Sequence, residues 1–127
     1  MIEERRKHHR AKRQIPLKIA DKGFDVITET ADISSSGINC RITRLLPLMS
    51  KIAVVLLLPT KADGKHTKKI KGKGVVVRCE PVILQDVEKA HYNVAIFFTD
   101  ISKKDQKLID AYLGPGGEIK EEIHIIT

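Results

Sequence analysis

The residues best equipped for chemistry lie in two clusters. One is Arg5-Arg6-Lys7-His8-His9-Arg10, whose last five residues read R-x-x-x-R. The other is Asp32-Ile33-Ser34-Ser35-Ser36-Gly37, in D-x-S-x-x-G spacing between two runs of strand character. A guanidinium fork can bond guanine O6 and N7 together, grip a phosphate or stack on a purine, whereas lysine offers a point charge. A carboxylate only accepts, and guanine N1–H and N2–H only donate, so Asp32 suits the Watson–Crick edge of that base. The Ser34 hydroxyl can donate to a phosphate or a base. Gly37 permits a positive φ, or a backbone approach too close for any Cβ. Together the clusters suit a compact anionic ligand that carries guanines. Taken alone, the hexad reads as an Asx-type turn and the arginine cluster as a solvated arm. Their pairing, on the strand pattern below, favours the ligand.

No other chemistry competes. His8, His9, His66, His91 and His124 form no metal-ligand spacing with Cys40 or Cys79, so no metal is expected. Gly72-Lys73-Gly74 lacks the long P-loop frame. There is no nucleophile elbow and no H-E-x-x-H, and Glu121-Glu122 lie in the tail with no pocket to place them. No catalytic residue, cofactor or enzyme activity is expected. Cys40 and Cys79 alternate with strand neighbours and read as core or wall thiols, with a bridge left open.

The elements that must position the clusters are mostly strands. Residues 1–13 form a basic arm, dense in like charge and expected to be mobile in the free protein. Ile15 to Ile19 alternates and reads as a strand, with Pro16 at its start or on an edge. Phe24 to Ala31 and Ile38 to Ile42 flank the hexad. Leu45 to Met49 reads as a loop. Lys51 to Leu58 is apolar and β-branched, a strand with both faces largely covered. Asp63-Gly64 signals a hairpin. Ile70 to Cys79 is a long strand in which Gly72 and Gly74 permit a bulge or a close backbone approach; Pro81 interrupts it, and Val82-Ile83-Leu84 can continue it before a charged loop. Tyr92 to Phe98 is the last clear strand. Ser102, with Asp105 three residues on, caps a helix whose stripe is Leu108, Ile109, Tyr112 and Leu113, and Gly114-Pro115 stops it. The pattern predicts a small antiparallel barrel over 14–114 with its helix across an open end or side. A two-sheet sandwich is the alternative. The tail 115–127 has no clear period.

A net charge of +7 points to anionic partners without choosing among them. No apolar run approaches the roughly 20 residues of a membrane helix. The N-terminus has no apolar segment after its charges, so no secretory signal is expected and the location is expected to be cytoplasmic.

The chain resembles the PilZ domain family. The residues that carry the resemblance are Glu4 to Arg10, Asp32-x-Ser34-x-x-Gly37, Gly74-Val75-Val76-Val77-Arg78, and Tyr92-x-Val94-x-Ile96-x-Phe98-x-Asp100-Ile101-Ser102 running into the helix. It spans about residues 3 to 113, with both motifs intact. The departures are His9, where proline is more usual, and the tail after Gly114. The resemblance implies a six-stranded barrel that binds the bacterial second messenger cyclic di-GMP through Arg6, Arg10, Asp32, Ser34 and Gly37. Arg5, just before the motif, implies a stacked pair of ligands on one chain, because an extra guanidinium can meet a guanine of the second molecule. Output would pass to a downstream protein that the sequence does not name. The competing reading is a basic barrel binding RNA or single-stranded DNA through Arg5 to Arg13 and Lys65 to Lys73. Aromatics make up only 4% of residues, which counts against it, because such binders rely on base stacking.

Overall fold

The computed structural model describes residues 13–60, 65–83 and 90–114. Arg5, Arg6 and Arg10, the Asp63-Gly64 signal and the tail from 115 lie outside them. The strands are β1 (Pro16–Asp21), β2 (Phe24–Ser34), β3 (Gly37–Ile42), β4 (Lys51–Pro59), β5 (Thr67–Val82) and β6 (His91–Asp100), followed by helix α1 (Lys103–Leu113). They close into an antiparallel barrel in the order β1-β2-β3-β6-β5-β4. β1 pairs with β2 on one side and β4 on the other, so the sheet closes on itself and the sandwich is excluded.

Period-two alternation fills the interior. On β4, Ile52, Val54, Leu56 and Leu58 are buried, while Lys51, Ala53 and Leu57 are exposed. The expectation of two covered faces is corrected here: a closed barrel has one interior, and the outer face of β4 meets solvent. Ile15, Leu17, Ile33, Ile38, Ile70 and Ile96 complete much of the core. The helix closes it by burying Ile109 and Leu113, with Leu108 and Tyr112 half-buried against the cluster. Asp105 N–H donates to the Ser102 hydroxyl at 3.0 Å, and Gly114, at φ 66°, ends the helix with its N–H on Asp110 O at 2.8 Å. Among the described residues no helix is long and apolar enough to cross a membrane.

Two strand boundaries differ from expectation. The hexad is not a loop: β2 runs through Asp32, Ile33 and Ser34, β3 starts at Gly37, and Ser35-Ser36 alone make the turn. Ladder pairing of Ile33 with Ile38 inside the barrel outweighs the turn propensity of the serines. Pro81 does not interrupt β5, which continues to Val82 with Pro81 opposite Tyr92. β4 pairs with β5 only up to Val75, so Pro81 sits on a one-sided stretch where a missing N–H is tolerated.

Gly37 and Gly74 lie on either side of β6. A Cβ on Gly37 would stand 2.2 Å from Ile96 O, and one on Gly74 would stand 2.7 Å from Phe97 O. Gly37 is therefore explained by close approach, since its φ is not positive. The foot of the arm is fixed elsewhere. Thr30, 1% exposed, accepts Ile15 N–H on Oγ1 at 3.0 Å and donates that hydroxyl to Arg13 O, while Thr30 N–H donates to Ile15 O at 2.9 Å.

Gly37→Ala should lower the free energy of unfolding by about 2–3 kcal/mol in urea titrations, because the added methyl meets backbone that cannot rotate away. Thr30→Val keeps the shape but strands the Ile15 N–H and the Arg13 carbonyl. It should cost about 1–3 kcal/mol and remove exchange protection at the Ile15 amide, with Thr30→Ser retaining that protection.

Candidate functional site

The site is built where β2, β3, β6 and β5 lie side by side. The β2–β3 register shifts between Thr30 and Asp32, leaving Ala31 as an extra residue. Two residues apart on a regular strand would share a face; the bulge turns Thr30 into the core and Asp32 onto the outer wall. A second shift between Val76 and Arg78 does the same on β5, keeping Val76 buried and placing Arg78 outside. One outer tier thus reads Asp32, Asn39, Ala95, Arg78 across four strands.

That tier is hydrogen-bonded along its length. Asn39 Nδ2 donates to Asp32 Oδ1 at 2.8 Å, and Asn39 Oδ1 accepts from Arg78 Nη2 at 3.3 Å. Arg78 Nε also lies 3.5 Å from Glu80 Oε1. Ala95 stands between Asn39 and Arg78, and its single methyl lets the guanidinium reach over β6. Asn39 fixes the carboxylate, and with it the direction in which Asp32 presents acceptor oxygen.

The turn beside the tier is held at both carbonyls. Phe98 N–H donates to Ser36 O at 2.9 Å, and Gln106 of α1 donates to Ser35 O at 3.4 Å. Ser34 is 1% exposed. Its hydroxyl lies 2.9 Å from Ser36 Oγ and accepts Ser36 N–H at 3.2 Å. Ser34 is thus buried and hydrogen-bonded within the turn, and Ser36 is half-buried. One step up the wall, Gly37 pairs with Phe97, whose other neighbour is Val75.

Toward the foot of the arm lies an open groove of about 490 Å³, lined by Gln14, Thr28, Thr30, Ala31, Arg41 and Asn93 among others. Arg41 Nε donates to Asn93 Oδ1 at 3.4 Å, which aims the guanidinium along the wall. Behind the tier, Cys40 is buried, and its thiol is pushed up to about 12, first by burial and then by nearby Cys79 and Asp32. Both cysteines are free thiols, and Cys79 Sγ accepts Leu46 N–H at 3.5 Å. A thiol so strongly held in its protonated form fills space and is no nucleophile at neutral pH. Among the described residues no three His, Cys, Asp or Glu side chains are grouped to hold a metal.

The structure brings Asp32, Ser34 and Gly37 together at one hairpin end. Arg5, Arg6 and Arg10 lie outside the described residues, and Arg13 is where description begins. Sequence reasoning gave no site role to Asn39, Ala95, Arg78, Phe97 or Thr30. Asn39 had a signal, two residues past Gly37 on an alternating strand. Arg78 stood among the residues that carry the family resemblance, but alternation gave it no site role, because the bulge at Val77 resets the phase.

The PilZ domain profile matches residues 4–114. No curated protein matches the sequence. Among solved structures, the inhibitor of motility MotI/DgrA of Bacillus subtilis superposes with a TM-score of 0.71 at 20% identity, covering 94% of this chain and 52% of that one. MrkH of K. pneumonia gives 0.70 at 18%, covering 91% and 50%. The PilZ domain of YcgR from Escherichia coli, solved with cyclic di-GMP, gives 0.64 at 10%, covering 97% and 98%. The chain spans about half the length of MotI/DgrA and MrkH. At these identities the structural likeness speaks for the fold, and the profile match over nearly the whole chain shows that this protein belongs to the PilZ domain family.

Proposed function

We propose that this protein is a receptor for cyclic di-GMP that signals to a partner protein. The observation that carries the reading is the juxtaposition at the barrel wall. Asp32 is held outward by Asn39 at the same bulge where Thr30 holds the foot of the arginine arm. Arg10 stands three residues before Arg13 in the sequence. In this reading Arg6 and Arg10 contact bases and phosphates and Asp32 accepts from a guanine edge. Ser34 acts through the turn it braces, and Gly37 keeps that turn against β6. YcgR's PilZ domain and MrkH have both been solved with cyclic di-GMP, which supports the choice of ligand.

Calorimetry with cyclic di-GMP tests the reading. Arg6→Ala and Arg10→Ala should each weaken binding about tenfold or more, since a charge-assisted bond contributes roughly 1.5–3 kcal/mol. Asp32→Ala should also cost binding, and Asp32→Asn less. Lys12→Ala should change it little. Saturation at two ligands per chain is expected, with Arg5→Leu shifting it toward one. Equal losses at Arg6, Arg10 and Lys12, with a steep fall in affinity as salt rises, would instead mark a generic nucleic-acid surface.

Output follows from the split site. Ligand that bridges arm and wall covers one barrel surface and creates another, on which a partner can dock. Amide exchange should therefore slow around residues 4–14 and 32–38 on adding cyclic di-GMP and change little along β4. An arm equally protected with and without ligand would rule out the ordering step while leaving binding intact.

A further inference from the structure

Phe97 is 51% exposed on the outer face of β6. The chain's other aromatic side chains, Phe24, Phe98, Tyr92 and Tyr112, are buried or half-buried. An aromatic ring left in water beside a polar tier is a cost that packing does not explain. Its setting leaves the ring uncovered. Opposite it on β3 stands Gly37, which has no side chain, and its β5 neighbour is the half-buried Val75. Gly37 cannot be larger, because β3 and β6 already touch there.

One step down β6, about 7 Å away, is Ala95, in the tier of Asp32, Asn39 and Arg78. Ala95, with its single methyl, therefore forms a low floor beside Phe97, and Gly37, buried against β6 and diagonal to Ala95, adds no side chain to it. Around it stand a ring at Phe97, a guanidinium at Arg78, and the amide and carboxylate of Asn39 and Asp32. Donors, an acceptor and an apolar ring around a floor without bulk fit a flat heterocycle that is polar at its edge and apolar on its face. A purine has that character.

We propose that Phe97 is the base-stacking residue of this site, taking one guanine of cyclic di-GMP against its ring while the Asp32–Asn39–Arg78 tier meets the edge of that base. The inference rests on the cyclic di-GMP reading and adds to it a contact that neither sequence motif contains. Base–aromatic contact depends on the ring itself, so an aliphatic side chain of similar volume does not replace it.

The experiment uses the full chain and cyclic di-GMP as probe. Phe97→Ala should weaken calorimetric affinity about tenfold, and Phe97→Leu nearly as much. Both should unfold in urea as the wild type does, because the side chain contributes little to the core. Phe97→Trp should retain affinity. The chain contains no other tryptophan, so its fluorescence reports from this position alone and should be quenched as ligand saturates. The proposal is overturned if Phe97→Ala or Phe97→Leu binds within twofold of wild type, or if the Phe97→Trp emission is unchanged at saturation. In those cases wild-type binding, with its loss in Arg10→Ala, would still stand for the receptor itself. A wild type that does not bind cyclic di-GMP overturns both.

Discussion

β6 is gripped between two neighbours that carry no side chain where they touch it. Gly37 brings β3 so near that any Cβ would lie 2.2 Å from the Ile96 carbonyl, and Gly74 brings β5 to 2.7 Å from that of Phe97. This approach draws three strands into a tight wall. It also determines what the wall can show. With no Cβ at 37, β3 closes onto β6, and the turn at Ser35-Ser36 comes close enough to β6 for Phe98 to donate to Ser36 O. The helix adds the second tie through Gln106. A residue of the binding motif is thus first a packing constraint, and whatever it does for a ligand follows from that.

The two bulges do complementary work. A strand can present a polar row only in phase with its buried row, because side chains alternate. On β2 the same stretch must put Thr30 inside, to hold the foot of the arm, and Asp32 outside. On β5 it must keep Val76 in the core and put Arg78 outside. One inserted residue in each strand changes the phase between the two demands. Asn39 on the unbulged β3 then connects the two displaced residues through its amide, donating to one and accepting from the other.

Much of this was legible in the sequence. Alternation, with the apolar β-branched run at Lys51 to Leu58, located the six strands, and Ser102, Asp105 and Gly114 marked the helix ends because capping is local chemistry. The hexad was recognised by its spacing. The tier was not, and the reason is physical: cross-strand partners are set by register, and both bulges that set it sit at ordinary residues, Ala31 and Val77. Nothing in Arg78 distinguishes it locally from a solvated strand residue. The continuation of β5 through Pro81 was hidden for a similar reason, since whether a proline is tolerated depends on which strand edge is paired. Thr30 read as a common β-branched strand residue; only its burial shows that its hydroxyl must serve two backbone groups.

The charge on the wall gives a reason for dividing the site between barrel and arm. Around the tier and the groove, Asp32 and Glu80 stand against Arg78 and Arg41, so the wall offers a phosphodiester little net attraction. It offers geometry instead: an acceptor and donors held by one another. More than half of the net positive charge is in the first thirteen residues, which hold six basic side chains and two glutamates. A ligand that carries both bases and phosphates, as the cyclic di-GMP reading requires, therefore needs both parts. The wall can read base edges and faces, and the arm can neutralise phosphate. Charge placed on the wall itself would attract any polyanion, folded arm or not. On the cyclic di-GMP reading, placing it on a segment that folds over the ligand would make charge neutralisation conditional on the base contacts, and binding would then carry the conformational change with it.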